Sequence, residues 1–271
     1  MICDNCPHNC DLGEDRTGIC HARSARDGKI ICDNYGYVTS LALDPIEKKP
    51  LKMFHPSALI LSVGSYGCNM DCPWCQNDSI SRGRVTCDKL TPAELIDIAI
   101  ETKNRGNIGI AYTYNEPSVG YEFVRDCAMM ATAKGLVNAV VSNGMLSRTR
   151  FDALLPYIDA YNIDLKTPDE KAYSSIGGDL DLILANIRSA HDFGRHIELT
   201  TLVVPRFNDT YEDIDHITSL VANIYPSIPL HITRFFPAGR MKEYEPTRLD
   251  LLYEFRERAK GRLQNVFLGN V

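Results

Sequence analysis

From Ala58 to the end of the chain, short apolar runs alternate with segments whose apolar residues recur every three to four positions. The run "ALILSVG" (58–64) is bounded by glycine and predicts a buried strand. In "LTPAELIDIAIETKNRG", Thr91, Pro92 and Glu94 form a capping box with proline at the first helical position, and Leu95, Ile98, Ala99 and Thr102 fall on one helical face. The same pairing repeats. Predicted strands at 107–113, 136–142, 160–165, 196–204 and 229–235 are each followed by a predicted helix. The first three of those helices lie at 117–134, 149–156 and 180–193. The fourth carries Ile214, Ile217, Val221 and Ile224 on one face, and the fifth carries Leu249, Leu252, Ala259 and Leu263. A short strand at 265–269 ends the series.

Serial strand–helix units give a parallel sheet with right-handed crossovers. The six units here are too few for a closed eight-stranded barrel. Periodicity is satisfied equally by an open, partial (β/α)6 barrel of TIM type and by a doubly wound open sheet. The first 57 residues differ: they are rich in cysteine and turns, weakly periodic, and end in the proline-interrupted "DPIEKKPLKMFHPS". The expected organisation is therefore a small cysteine-rich extension over 1–57 and an α/β domain over 58–271.

The chain has 271 residues, of which 44% are hydrophobic, ample for a full core. A net charge of -6 argues against a protein built to grip nucleic acid or an anionic membrane. No apolar run approaches a membrane span, and "MICDNCPHNC" is not a signal peptide, so a cytoplasmic protein is expected. In a reducing compartment the ten cysteines point to metal rather than disulfides. Cys87 and Cys127 have no partner at ligand spacing and read as small hydrophobes.

In parallel α/β folds the working residues gather at the carboxyl ends of the strands. Each predicted strand here delivers polar groups at that edge. Strand one runs into "SYGCNMDCPWC", strand two into "YTYNEPS" with Glu116, and strand three into Ser142, Asn143 and Gly144. Strand four ends at Asp164 and Lys166, strand five at Thr200 and Thr201 before "VVPRFND", and strand six carries His231 and Arg234. Cys68, Cys72 and Cys75 sit at the same mouth, spaced C-x3-C-x2-C. Three thiolates on a tight loop suit an iron–sulfur cube with one iron left open to a small chelating ligand. Glu116 could accept from an amine on that ligand, and Lys166 could pair with a carboxylate.

C-x3-C-x2-C with the aromatic Trp74 before its last cysteine resembles the signature of radical S-adenosylmethionine (SAM) enzymes. "CNMDCPWCQN" is similar to the branch that contains glycyl-radical-enzyme activases, such as pyruvate formate-lyase activating enzyme. "CPHNC", "DPIEKKPL", "CQN", "YTYNEP", "SNG", "DLK" and "RFFP" bring it closer to the radical SAM proteins of the AmmeMemoRadiSam system. The resemblance implies a [4Fe–4S] cluster on Cys68, Cys72 and Cys75, and SAM chelated to the open iron. One electron, from a flavodoxin- or ferredoxin-type donor, cleaves SAM to a 5′-deoxyadenosyl radical that abstracts hydrogen from substrate. By motif position Glu116 meets the methionyl amine, Asp164 and Lys166 contact ribose and carboxylate, and Ser142 and Asn143 touch SAM. Val203 to Pro205, with Val204 at the centre, flank adenine, and Trp74 shields the cluster. Tyr114 and Asn115 stand where the usual "GGE" motif has glycines. An activase-like role implies a partner protein as substrate. The alternatives are modification of a peptide, cofactor or small molecule, and a non-enzymatic iron–sulfur redox or sensor module.

Cys3, Cys6, Cys10 and Cys20 form a second group, spaced C-x2-C-x3-C-x9-C, with Cys32 in reserve and His8 and His21 as substitutes. A four-thiol set on a core-poor segment reads as a metal site, zinc or a second iron–sulfur cluster. Lys48 and Lys49 read as solvated. Tyr114, His231 and Arg234 are candidates for the substrate pocket, Arg234 because a buried strand-end arginine calls for an anionic partner.

Overall fold

The computed structural model describes residues 1–83 and 85–271. Its strands are β1 (Arg23–Arg26), β2 (Lys29–Cys32), β3 (Tyr37–Val38), β4 (Ser40–Pro45), β5 (Leu59–Gly64), β6 (Asp88–Lys89), β7 (Asn107–Tyr112), β8 (Val137–Ser142), β9 (Ala160–Asp164), β10 (His196–Val203), β11 (Leu230–Arg234) and β12 (Val266–Gly269). Its helices are α1 (Asp78–Ser81), α2 (Pro92–Glu101), α3 (Tyr121–Ala133), α4 (Arg148–Leu154), α5 (Glu170–Ser175), α6 (Leu180–Asp192), α7 (Tyr211–Ile224) and α8 (Leu249–Ala259).

Eight strands form one sheet in the order β12-β11-β10-β9-β8-β7-β5-β4. Every neighbouring pair is parallel except β4 with β5. Among the described residues β4 and β12 do not pair, so the sheet is an open, partial barrel. The capping box on α2 is present: Thr91 Oγ1 accepts from Glu94 N, and Glu94 accepts from Thr91 N. On that helix Ile96 is buried alongside Leu95 and Ala99, while Ile98 is only partly covered.

The sequence reading missed β4. It lies within the cysteine-rich stretch yet pairs antiparallel with β5 along its whole length, from Ser40–Gly64 to Pro45–Leu59. Residues 40–45 thus belong to the main sheet, and the expected boundary at residue 57 falls between two paired strands. Extended residues at a sheet edge carry a weaker apolar signal than central ones.

Strand parity separates two cores. Leu61, Val63, Ile110, Tyr112, Val140, Tyr161, Ile163, Leu199 and Ile232 face the helices. The opposite parity lines the barrel interior, where Ala111, Ala139 and Ala160 pack with Ile46, Leu51 and Ile60. Three alanines in one register row leave space that the segment 46–54 fills. Polar contacts fix that plug. Asn162 Nδ2 donates to Pro50 O at 2.8 Å, and the Glu198 carboxylate accepts from Lys52 N at 3.0 Å and Met53 N at 2.7 Å. Glu198 also pairs with His231 Nε2 at 2.6 Å and His196 Nε2 at 2.9 Å.

The plug corrects one expectation: Lys49 is not solvated. It is buried, pairs with Asp44 at 3.0 Å and lies 4.5 Å from the centre of the Tyr114 ring, whose hydroxyl donates to Asp44 at 2.8 Å. A buried lysine needs such a partner. Lys48 does stay in solvent, its side chain 66% exposed. Arg234 is a second correction. It shares the parity of Leu230 and Ile232, stacks on Phe236, and donates from Nε to the backbone oxygen of Thr247 at 2.8 Å, so no anionic ligand is needed to hold it. His231 has the interior parity, and Glu198 takes it up.

Burial disfavours the Glu198 charge, but the two histidines and the Met53 amide outweigh it and bring the carboxyl down from its ordinary 4.5 to about 2. A carboxyl with a lowered folded-state value contributes stability above its ordinary value and loses it as pH falls toward the folded one. Glu198→Gln should therefore cost about 1–3 kcal/mol at pH 7. In urea titrations the gap to wild type should narrow between pH 4.5 and about 2. A gap independent of pH would show that the carboxylate charge is not what seats the plug.

Candidate functional site

The loop after β5 carries Cys68, Cys72 and Cys75, and its backbone is tied on several sides. Gly67 N donates to Ile80 O at 2.8 Å, Cys68 N to Cys20 O at 3.2 Å, Asp71 N to Ile176 O at 2.8 Å, and Arg240 N to Pro73 O at 2.7 Å. Gly67 has φ +92°, and a Cβ there would lie 2.6 Å from Cys20 O and 2.7 Å from Ala22 Cβ, so only glycine fits. Asn69, buried, donates to Met145 O at 3.0 Å and accepts from Asn143 Nδ2 at 2.9 Å. Trp74 is buried against Phe207, ring centres 4.4 Å apart.

Glu116 follows β7 and is buried beside this loop. Oε1 accepts from Ser142 Oγ at 2.8 Å and Ser118 N at 2.9 Å; Oε2 accepts from Asn143 N at 2.7 Å. Burial nevertheless pushes the carboxyl above its ordinary value, the three donors offsetting only part of it. Tyr114 takes φ +70°, the left-handed conformation that glycine tolerates best. At the position where the usual "GGE" motif has glycine, a tyrosine is held in that conformation here. Asn115 closes the junction, donating to Tyr66 O and Gly67 O at 3.1 Å each and accepting from Ser65 N at 2.9 Å.

At the end of β9, Lys166 Nζ pairs with Asp164 at 2.8 Å. Burial works against that charge, but Asp164 and the nearby Cys72 hold it above the ordinary lysine value. Tyr173 Oη accepts from Lys166 N at 2.9 Å, and Asn208 Nδ2 donates to Lys166 O at 2.6 Å. Asn208 Oδ1 also accepts from the amide of buried Val204 at 2.6 Å, so one side chain sets the ends of both β9 and β10. Sequence reasoning missed Asn69, Tyr173 and Asn208. Nothing local in "VVPRFND" distinguishes an asparagine that bridges two strand ends.

The Cys68 thiol is pushed up by burial, with Glu116 and Cys72 adding to it, and Cys72 is pushed up by burial although Lys166 opposes. Such thiols are poor free nucleophiles. They suit a metal, whose own charge removes the proton on binding.

The N-terminal cysteines fold against the same loop. Cys3, Cys6 and Cys20 are buried, and Cys10 is half-buried. Burial pushes Cys6 and Cys20 up; Cys6 feels the charges of Cys10 and Cys3, and Cys20 those of Cys6 and Cys3. Cys32 lies apart, its thiol donating to Asn34 Oδ1 at 3.2 Å. His8 is not held for a metal either, since its Nε2 is engaged with Asn69 O at 2.8 Å. Among the described residues no three histidine, cysteine or acidic side chains are gathered closely enough to hold a single metal ion.

An open parallel half-barrel with a clamped three-cysteine loop and a buried carboxylate at its carboxyl edge defines a cofactor-dependent α/β enzyme. Residues 62–221 match the radical SAM superfamily, and the chain belongs to it. Membership brings a [4Fe–4S] cluster, SAM and the general radical SAM reaction, so the redox or sensor module is set aside. An uncharacterized protein of Methanocaldococcus jannaschii is 35% identical over 99% of this chain and 81% of its own length. The 4-hydroxyphenylacetate decarboxylase activating enzyme of Clostridioides difficile is 28% identical over 72% of this chain, which spans 65% of that enzyme. Among solved structures, a radical SAM methyltransferase from Sphaerobacter thermophilus shares the fold with a TM-score of 0.63 at 16% identity, over 80% of this chain and 67% of its own. No helix among the described residues is long and apolar enough to cross a membrane.

A Cβ at Gly67 would meet a backbone oxygen and the Ala22 Cβ, and neither is the movable end of a flexible side chain. Gly67→Ala should detach residues 1–30 from the loop, read as at least tenfold faster proteolysis of that stretch with the α/β domain intact. Unchanged proteolysis would mean that the close approach does not hold the extension.

Proposed function

We propose that the protein is an activase-like radical SAM enzyme whose Cys68, Cys72 and Cys75 ligate the [4Fe–4S] cluster, and whose substrate is a partner protein. The observation that carries the reading is the buried Glu116 carboxylate, fixed by Ser142, Asn143 and Ser118 next to Cys68. Burial raises this carboxyl despite its donors, so an ammonium beside it would be stabilised. Lys166, kept charged by Asp164, is suited to a carboxylate on the same small ligand, and Asp164 to its ribose. Asn143 adds a long contact from Nδ2 to Cys68 Sγ at 3.8 Å and so couples the carboxylate cradle to the cysteine loop. Val204 and Trp74, both buried, would supply apolar walls. When bound, the reduced cluster and SAM supply one-electron cleavage of the cofactor and abstraction of a substrate hydrogen. The chain's own residues orient the cofactor and exclude water.

A protein substrate and a flavodoxin- or ferredoxin-type electron donor fit the chain's similarity to activating enzymes, among them the benzylsuccinate synthase activating enzyme of Thauera aromatica, 27% identical over 48% of this chain. Tyr114 and His231 line the interior side of the half-barrel and remain the substrate-pocket candidates; Arg234, turned to the helix side, does not.

Anaerobic protein reduced with dithionite should convert SAM to 5′-deoxyadenosine, and Cys68→Ala should abolish the product. Intact SAM with a reducible cluster present would refute the assignment. Glu116→Gln should weaken SAM binding about 10–100-fold by losing a charge-assisted hydrogen bond. Equilibrium dialysis checks this, and wild-type affinity in the variant would remove Glu116 from the site.

A further inference from the structure

The four N-terminal cysteines are not used by the reading above, yet one of them, Cys20, meets its cysteine loop directly. We propose that Cys3, Cys6, Cys10 and Cys20 hold an iron–sulfur cluster that relays electrons to the cluster loop through Cys20 and Cys68. The inference rests on the radical SAM reading.

Three observations carry it. The first is spacing. Cys3, Cys6 and Cys10 lie within eight residues and Cys20 stands alone, three ligands plus one. Structural zinc sites usually draw their ligands as two close pairs, whereas three clustered cysteines with a remote fourth is an iron–sulfur arrangement. The second is the poverty of the local core. Around Cys3 and Cys10 the apolar companions are few, Leu12 and Ala25 with half-buried Ile30, whereas Cys20 packs with Ala22, Tyr66 and Val119. The core around the first three thiols is small, and a bound metal would add folding energy there. The segment is nonetheless shaped: Cys3 N donates to Cys10 O at 2.9 Å, Asn9 N to Cys6 O at 3.2 Å, and a Cβ on Gly18 would sit 3.6 Å from Cys10 Sγ.

The third observation is the seam between the two sets. Cys68 N donates to Cys20 O at 3.2 Å, so a single hydrogen bond joins one ligand residue of each group. The route from Cys20 Sγ to Cys68 Sγ runs through one side chain, one carbonyl, that hydrogen bond and one further side chain. The docking is anchored by polar groups. Buried Arg23 donates to both Glu122 oxygens at 2.7 Å, Asn5 Nδ2 donates to Ser118 O at 2.9 Å, and Ser147 N to Asn5 O at 2.9 Å. Cys10 is the most exposed of the four, which places the outer face of the group toward an external donor. In balance, one electron leaves a reduced flavodoxin- or ferredoxin-class protein, enters on the Cys10 side, and leaves by Cys20 toward Cys68. No atom is transferred, and the N-terminal group returns to its oxidised state.

The test uses the full chain purified without oxygen. Iron, zinc and acid-labile sulfide should give about eight irons per chain for two four-iron clusters. Cys10→Ala should lose about half the iron while keeping the SAM-dependent change in the electron paramagnetic resonance of the remaining cluster. In that variant, 5′-deoxyadenosine formation driven by reduced flavodoxin should fall at least tenfold, and formation driven by dithionite less than twofold. A Cys68→Ala, Cys72→Ala, Cys75→Ala chain should retain the other half of the iron with a reducible signal. Stoichiometric zinc, metal-free N-terminal thiols, or an unchanged flavodoxin-driven rate in Cys10→Ala would each overturn the proposal. Absence of a SAM-dependent signal in the wild type would instead refute the radical SAM site, so the two failures are distinguishable. Should the triple variant not fold, the wild-type iron count and Cys10→Ala decide alone.

Discussion

A carboxylate with no access to water is the constraint around which the site is arranged. Among the described residues Glu116 has no lysine or arginine as a bonded partner; it is met by one hydroxyl and two amides. Those donors come from the ends of different elements: Ser142 finishes β8 with Asn143 just after it, and Ser118 lies in the turn before α3. Burial still raises the carboxyl, so the site has residual appetite for positive charge. Swinging any one strand end outward would leave a buried oxygen unpaired, a larger cost than the bond was worth. The carboxylate thus holds the mouth of the half-barrel in one shape, and the cysteine loop inherits that shape through Asn143, Asn69 and Met145.

Much of this was legible in the sequence because the physics is local. The strand–helix alternation, the α2 cap and the polar groups at strand ends all depend on residues near each other in the chain. What escaped is long-range. Asn69, Tyr173 and Asn208 act on partners far away in sequence, and an asparagine in a turn looks the same whether it faces water or two strand ends. β4 was hidden because an edge strand carries weak periodicity. Lys49 was misread because its burial depends on three alanines more than sixty residues away, which make room for the segment next to it. Arg234 was misread for the opposite reason. Its strand was right, but parity turned it to the helix side, where a backbone oxygen suffices.

The interior plug also bears on what the enzyme can accept. With Ile46 and Leu51 filling the space over Ala111, Ala139 and Ala160, the lower half of the barrel is closed. The plug's polar rim is paired internally: Lys49 with Asp44, and Glu198 hydrogen-bonded between His196 and His231. A substrate has to enter from the strands' carboxyl side and meet its target there. A loop or terminus of a partner protein can do this without being swallowed, which is consistent with an activase-like role.

The extension then has a reason to sit where it does. A thiol group that only needed to stabilise its own fold could be placed anywhere on the surface, joined by an ordinary loop. Here the chain gives up a side chain at Gly67 so that Cys20 can come within hydrogen-bond reach of Cys68. It also buries Arg23 against Glu122 to keep the two bodies together, at a desolvation cost that a surface tether would not incur. Close approach at the expense of conformational freedom is what electron transfer rewards, because transfer falls off steeply with separation, whereas structural metal sites gain nothing from it.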